Sequence, residues 1–96
     1  MRDVDNELLD SDSLASNDRL QGWVVGERLS KSFVFPDFPS ALAFMVRVGF
    51  VAERLCHHPN WSNVYNRVEV EIWSHDLGGV SRLCVELAAA MDDAAA

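Results

Sequence analysis

The three histidines of this chain, His57, His58 and His75, lie in one stretch between positions 53 and 76. Histidine is the side chain whose ordinary pKa is near neutrality, so it can both give and accept a proton at physiological pH. Glu53 and His57 are four apart at the end of a predicted helix, so the carboxylate can orient the ring and favour its protonated form. The stretch predicts proton transfer, and a surface ion pair is the alternative for Glu53 and His57.

Pro59 directly follows His58, which favours an extended backbone and ends the helix there. The two adjacent rings then point in different directions unless the loop turns them towards one cleft. A zinc site with three histidine ligands is the competing interpretation. Adjacent ligands are geometrically awkward, and Glu53 is the one obvious supporting acid, so no metal and no cofactor are predicted.

Candidate substrate-binding residues in the same region and before it are Trp23, Trp61, Ser74 and Asp76. An indole can stack on a flat heterocycle, but a large aromatic side chain in a small domain more often packs in the core. Core packing is therefore the favoured interpretation of Trp61, with stacking as the alternative.

The helices and strands that must position these residues are predicted from hydrophobic periodicity and from capping and turn residues. Helices are predicted over residues 13–20, from 38 to the His57-His58 pair and from 82 onwards, and strands over 22–30, 31–36, 61–65 and 68–75. Asp37 and Ser81 are the predicted helix caps, and Asn66-Arg67 is the predicted hairpin turn. The order α-β-β-α-β-β-α predicts an α+β domain without a parallel crossover.

The middle helix has apolar residues on two faces. One face carries Ala41, Phe44, Met45, Val48, Ala52 and Leu55, and the other carries Leu42, Val46 and Phe50. One sheet cannot cover both faces, and an exposed apolar patch is an association site. The pattern predicts a homodimer or homotetramer.

Composition narrows the possible partners. The formal charge is −7, from 15 acidic and 8 basic residues, which argues against nucleic acid or an anionic membrane as the main partner. The apolar stretch 38–52 is shorter than the roughly 20 residues that span a bilayer. The start of the chain lacks the pattern of a secretory signal, so the cytoplasm is the predicted compartment. We expect an acidic, frayed segment at 1–12, one domain at 13–92 and a tail at 93–96.

The stretch resembles the pterin-4a-carbinolamine dehydratase family. The residues that carry the resemblance keep the spacing of that family's signature: Glu53, His57-His58-Pro59, Trp61, Asn63-Val64-Tyr65, the strand 68–73, Ser74-His75 and Gly78-Gly79. The resemblance implies an antiparallel four-stranded sheet with helices packed on one face, and subunits joined into dimers or tetramers.

The family reaction is the loss of water from a 4a-hydroxytetrahydropterin, giving a quinonoid dihydropterin during tetrahydropterin recycling. The resemblance implies a 4a-hydroxytetrahydrobiopterin dehydratase, a hydro-lyase that needs no cofactor. His57, His58 and His75 would line the pterin pocket. His57 and His75 are assigned as the acid/base pair, His58 to substrate contact and Glu53 to the support of His57.

The alternative is a non-catalytic interaction or assembly module on the same fold, because relatives serve as a transcription-factor dimerisation partner and as a Rubisco assembly factor. Two positions also depart from the family pattern: Cys56 stands where an acid or Asn is common, and Cys84 where Asp is common. The helix dipole is expected to lower the pKa of Cys84. The thiols are either inert space-fillers or a redox-sensitive pair.

Overall fold

The computed structural model describes residues 6–96 and contains three α-helices and one antiparallel sheet. The elements are α1 (Ser11–Ala15), β1 (Val24–Val25), β2 (Leu29–Val34), α2 (Phe38–Leu55), β3 (Asn60–Val64), β4 (Arg67–Ile72) and α3 (Arg82–Ala95). The sheet order is β1-β2-β4-β3. The predicted α+β order and the four-stranded antiparallel sheet are confirmed.

The central strand β4 shows how the sheet is packed. Val68, Val70 and Ile72 are buried, and the residues between them are exposed. This alternation of period two places one face of the strand on the core. β4 pairs with β2 from Leu29↔Ile72 to Val34↔Arg67, so the buried residues of both strands meet the same helices.

The helix α2 begins and ends with clear signals. The carboxylate of Asp37 accepts a hydrogen bond of 2.8 Å from the backbone N–H of Ser40, which confirms the predicted cap. Pro39 lies in the first turn, where its missing N–H costs nothing. The helix ends at Cys56, whose φ of 50° is left-handed. This left-handed residue turns the chain sharply before the two adjacent histidines.

The helix α3 is capped from a distant part of the chain. Ser81 occupies the predicted N-cap position, but its side chain makes no capping hydrogen bond. Instead, Asn6 Oδ1 accepts from the N–H of Leu83 at 2.9 Å, and the carbonyl of Glu7 accepts from Arg82 at 2.9 Å. Of the predicted acidic segment 1–12, residues 1–5 lie outside the described residues, and residues 6–9 lie against the start of α3.

Two boundaries near the N-terminus differ from the prediction. The predicted helix 13–20 is two short pieces, α1 and a 3-10 helix at Asp18–Leu20, because the Asn17 side chain caps the second piece through the N–H of Arg19. The predicted break between strands at Ser30 and Lys31 is also wrong. Both residues lie inside β2, and the chain turns between β1 and β2 instead.

The second hairpin turns one residue earlier than predicted. Val64 pairs with Arg67, so the turn is Tyr65-Asn66 and not Asn66-Arg67. Tyr65 adopts a positive φ of 51°, a conformation that sequence patterns seldom assign to Tyr. The Asn63 side chain donates to the carbonyls of Tyr65 and Arg67 at 3.1 and 2.9 Å, which stabilises the turn.

The open side of α2 remains apolar. The exposed side chains on it follow one another at intervals of four residues, with exposed fractions of 43% for Phe38, 46% for Leu42, 53% for Val46 and 74% for Phe50. We call these four residues the α2 stripe. Within residues 6–96, no helix is long and apolar enough to cross a membrane.

Candidate active site

The three histidines lie in one pocket, beside the carboxyl-terminal end of α2. The pocket has a volume of about 210 Å³ and is lined by Cys56, His57, His58, Trp73, Ser74, His75 and Asp76. Two separated segments supply this lining: the residues that follow α2 and the residues that follow β4. The structure thus brings together the histidines that the sequence pattern grouped.

The first segment is placed by the end of α2. The N–H of His57 donates to the carbonyl of Ala52 at 3.0 Å, and the N–H of Cys56 donates to the carbonyls of Ala52 and Glu53. These bonds form a Schellman-type helix end around the left-handed Cys56. The turn directs His57 towards the interior, and His58 follows at the surface.

The second segment is placed by a tight loop between β4 and α3. Ser74 is buried, and its N–H donates to the carbonyl of Gly79 at 2.8 Å. Its hydroxyl accepts from the N–H of Leu77 at 3.1 Å, and its carbonyl accepts from Gly78 at 2.8 Å. Gly78 has a φ of 74°, a conformation that glycine adopts without a steric penalty. Ser74 therefore fixes the loop that carries His75 and Asp76 into the pocket.

His57 is the buried member of the three, with an exposed fraction of 7%. Its Nε2 lies 3.1 Å from the Sγ of Cys84, which belongs to the first turn of α3. The same sulfur lies 3.3 Å from the hydroxyl oxygen of Ser81. The inner side of the His57 ring therefore contacts polar groups of α3.

Glu53 hydrogen-bonds His58, whereas the prediction paired it with His57. Glu53 Oε1 lies 2.9 Å from His58 Nε2, and both side chains are exposed. The spacing of four residues favours His57 only while the helix continues. The left-handed Cys56 ends the helix first and brings His58 back over the carboxylate.

His75 is oriented by its neighbours on β4 and β3. Its ring stacks on Trp73 with centroids 4.5 Å apart and planes 9° apart. Asn60 Nδ2 lies 3.4 Å from His75 Nε2, a long contact in which the amide nitrogen can act as the donor only. A hydrogen bond in this contact therefore has Nε2 of His75 as its acceptor.

Sequence reasoning missed Trp73 and Asn60 as parts of the site. The signal for Trp73 was present, because residues two apart at a strand end share a face, and His75 follows Trp73 by two. The guanidinium of Arg28 lies 3.9 Å from the centroid of the Trp73 ring, so a cation–π contact also orients this indole. For Asn60, no local pattern predicts the contact, since it depends on how β3 lies beside β4.

Of the candidate substrate-binding residues, Ser74 and Asp76 line the pocket, and the two tryptophans are not in the described lining. Trp23 is buried, and its Nε1 donates to Asp92 Oδ2 at 3.0 Å. Trp61 packs against the core and lines a separate depression between the strands. The favoured prediction of core packing for Trp61 agrees with this position.

The two cysteines are both free and differ in environment. Cys56 is exposed and lines the pocket, and Cys84 is fully buried. Burial raises the pKa of the Cys84 thiol, although hydrogen bonds with Ser81 act in the opposite direction. The predicted lowering by the helix dipole is wrong because the loss of solvation outweighs it.

Within the part of the chain that the structure describes, no three His, Cys, Asp or Glu side chains are grouped so that they could hold a metal ion. The geometry brings together titratable rings, a carboxylate and an amide, which can orient a polar heterocycle and move protons.

Comparisons with known proteins agree with this geometry. The sequence profile of the pterin 4 alpha carbinolamine dehydratase family matches residues 7–94. A Synechococcus sp. (strain WH7803) protein named provisionally as a pterin-4-alpha-carbinolamine dehydratase is 57% identical over 65 residues, which cover 68% of this chain and 70% of that protein. A Bradyrhizobium sp. (strain ORS 278) protein with the same provisional name is 48% identical over 94 residues and covers 94% of both chains.

A solved structure shares the fold. The crystal structure of a transcriptional coactivator/pterin dehydratase from Brucella melitensis superposes with a TM-score of 0.85 and 37% sequence identity, covering 93% of this chain and 98% of that one. The family match over residues 7–94 spans both segments that line the histidine pocket. The chain therefore belongs to the pterin 4 alpha carbinolamine dehydratase family.

Proposed function

We propose that this protein dehydrates a 4a-hydroxytetrahydropterin to a quinonoid dihydropterin, as a 4a-hydroxytetrahydrobiopterin dehydratase in tetrahydropterin recycling. The observation that carries the proposal is the convergence of His57, His58 and His75 on one pocket in a chain of this family. Groups that titrate near neutrality can perform both proton movements of this reaction without a cofactor. The cytoplasm remains the predicted compartment.

The reaction removes a proton from a ring nitrogen and releases the 4a-hydroxyl as water. His57 and His75 are the acid/base pair of the proposal, because one ring contacts α3 and Nε2 of the other is placed to accept a hydrogen bond. His58 is assigned to substrate contact, and Glu53 supports His58 through the bond of 2.9 Å. Ser74 and Asp76 complete the polar lining.

The decisive experiment is a stopped-flow dehydration assay with synthetic 4a-hydroxytetrahydropterin. We expect the purified chain to accelerate dehydration well above the rate in buffer, and extensive dialysis against a chelator to leave that rate unchanged. The protein with all three histidines replaced by Ala serves as the control. A wild-type rate equal to the rate in buffer would reject the proposal.

A second function, as an interaction module, is favoured by the α2 stripe and by the Brucella neighbour, which is titled a transcriptional coactivator as well as a pterin dehydratase. We propose that the first occupant of the stripe is a second copy of this chain, because a regular apolar face on a straight helix matches itself across a two-fold axis. The chain is then a homodimer or homotetramer.

Sedimentation at micromolar concentration tests this association. We expect wild-type protein to sediment as a dimer or tetramer and Phe50→Asp to sediment as a monomer, because a carboxylate cannot be buried unpaired in an apolar interface. The matched control is Val64→Asp, which introduces the same charge at an exposed valine outside α2. A monomeric wild-type protein would exclude the homo-oligomer.

A further inference from the structure

Three buried groups form a hydrogen-bonded series below the histidine pocket. The hydroxyl oxygen of Ser81 lies 3.3 Å from the sulfur of Cys84, and this sulfur lies 3.1 Å from Nε2 of His57. Ser81 and Cys84 have no exposed surface, and His57 is 7% exposed. Both α3 residues stand at the start of that helix, so the helix brings the series to the pocket.

The series has a preferred direction. The Ser81 side chain does not cap α3, and within the described residues its hydrogen-bond partner is the sulfur of Cys84. A buried hydroxyl hydrogen is normally donated to an acceptor, so Ser81 donates to the sulfur. The thiol remains protonated because burial raises the pKa of Cys84. Its own hydrogen is then directed to Nε2 of His57.

We propose that Cys84 is a positioning residue that holds the neutral His57 ring in the tautomer with its hydrogen on Nδ1. Because Nε2 accepts from the thiol, the ring can carry its single hydrogen only on Nδ1. In this proposal the Nδ1–H of His57 is the donor of the pair and Nε2 of His75 is the acceptor.

The chemical consequence rests on the proposed function. His75 takes the proton from the ring nitrogen of the pterin, and the C4a–O bond breaks with its electron pair going to oxygen. His57 acts as the acid partner of the pair through hydrogen bonding alone: its Nδ1–H stabilises the negative charge that develops on this oxygen. The oxygen leaves as water with the proton that His75 took up, and both rings return to their starting states.

Nuclear magnetic resonance of the nitrogen-15-labelled full chain, without substrate, tests the tautomer directly. At a pH where the ring is neutral, long-range nitrogen–proton correlations distinguish a ring with its hydrogen on Nδ1 from one with its hydrogen on Nε2. We expect the Nδ1–H form of His57 in the wild type and in Cys84→Ser, which keeps a donor and an acceptor. We expect the Nε2–H population to rise in Cys84→Ala.

The matched control is Val85→Ala, which removes buried volume from the neighbouring position of α3 and leaves the series intact. It should keep the Nδ1–H form. A wild-type His57 with its hydrogen on Nε2 would overturn the proposal, and so would a tautomer that is the same in Cys84→Ala as in the wild type.

Kinetics separate this inference from the proposed function. In Cys84→Ala we expect kcat to fall about 10-fold with KM nearly unchanged, because the donor is misdirected and not removed. Cys84→Ser and Val85→Ala should stay within about threefold of the wild type. An equal fall in Val85→Ala would show that loosened packing is the cause and would contradict the positioning role. If neither the wild type nor any variant dehydrates the pterin but the tautomers of His57 are as expected, the proposed function fails and the positioning role of Cys84 stands.

Discussion

Both ends of α3 carry polar contacts, partly buried at the carboxyl-terminal end and buried at the amino-terminal end, but the two sets are built differently. At the carboxyl-terminal end, Asp92 accepts from Lys31 Nζ at 2.7 Å and from Trp23 Nε1 at 3.0 Å. At the amino-terminal end, Cys84 links Ser81 to His57 through longer contacts between groups that can each donate or accept. The first end is charged and its donors and acceptors are fixed, whereas the second is uncharged and its hydrogens can be rearranged.

The difference shows how one helix can serve both the fold and a site. A carboxylate beside an ammonium and an indole N–H acts only as the acceptor, so the direction of both hydrogen bonds is fixed and the contact anchors the helix. A thiol and an imidazole can each donate or accept, so the hydrogen of the Cys84–His57 contact can be placed in more than one way. The His57 ring also lines the histidine pocket. We therefore expect substitutions at the carboxyl-terminal end of α3 to lower stability and substitutions at the amino-terminal end to lower turnover.

The largest expected effect is on turnover. We expect His57→Ala and His75→Ala each to lower kcat by about 10- to 1,000-fold, which is the range around what a positioned acid or base contributes. The double variant should lose less than the product of the two factors, since both groups act on one transition state. Stopped-flow dehydration with folded variants measures this. Wild-type rates in either variant would remove that histidine from the proposed acid/base pair.

The next effect is on stability, at the opposite end of α3. Asp92→Ala removes both bonds and leaves Lys31 partly buried without its carboxylate, so we expect a loss of about 2 to 3 kcal/mol in the free energy of unfolding. Urea unfolding measures it, and kcat below the unfolding transition should not change. The neighbouring Asp93→Ala is the matched control and should stay within about 0.5 kcal/mol. Equal losses in both variants would contradict the anchoring role of Asp92.

A smaller loss of stability is expected for Trp23→Phe. This change keeps an aromatic ring against Phe33 but deletes the indole N–H that donates to Asp92. We expect a loss of about 1 kcal/mol in urea unfolding. Combined with Asp92→Ala, it should cost less than the sum of the two single changes, because both remove the same hydrogen bond. Full additivity would show that the two side chains act independently.

The smallest expected effect is on the pH dependence of stability, and it comes from Cys84 at the amino-terminal end of α3. The pKa of Cys84 is raised in the folded protein, so the folded state keeps its thiol proton when the unfolded chain has lost it. The resulting stability is fully present below the ordinary value of 9.0 and is lost as pH rises from there through the folded-state pKa. Thermal unfolding between pH 8 and 11 should show this decline in the wild type and a weaker one in Cys84→Ser. Identical declines would exclude Cys84 as the cause.

The sequence predicted the elements whose signals are local. The strand predicted over residues 68–75 overlaps β4, and Asp37 predicted the start of α2. Grouping the histidines also succeeded, because a fixed family spacing carried it. The strand and the helix cap depend on side chains within a few residues of one another, whereas the grouping of His75 with His57 and His58 depended on the family spacing.

The features that the sequence did not predict depend on backbone angles or on distant contacts. The positive φ of Tyr65 and of Cys56 has no glycine to signal it, so the hairpin turn and the partner of Glu53 were both misassigned. The capping of α3 by Asn6 and the anchoring of Trp23 by Asp92 join residues far apart in the chain. Propensity and spacing carry no information about such pairs.

Because Cys56 is left-handed, the length of the connection between α2 and β3 decides which histidine is buried and which is exposed. The residue after it, His57, is buried against α3, and the next one, His58, lies outside over Glu53. An insertion of one residue directly after Cys56 would move each imidazole by one place along the chain and exchange the inner ring for the outer one. Surface loops ordinarily tolerate changes in length. Here a change in length should abolish the arrangement of the site even if the protein still folds.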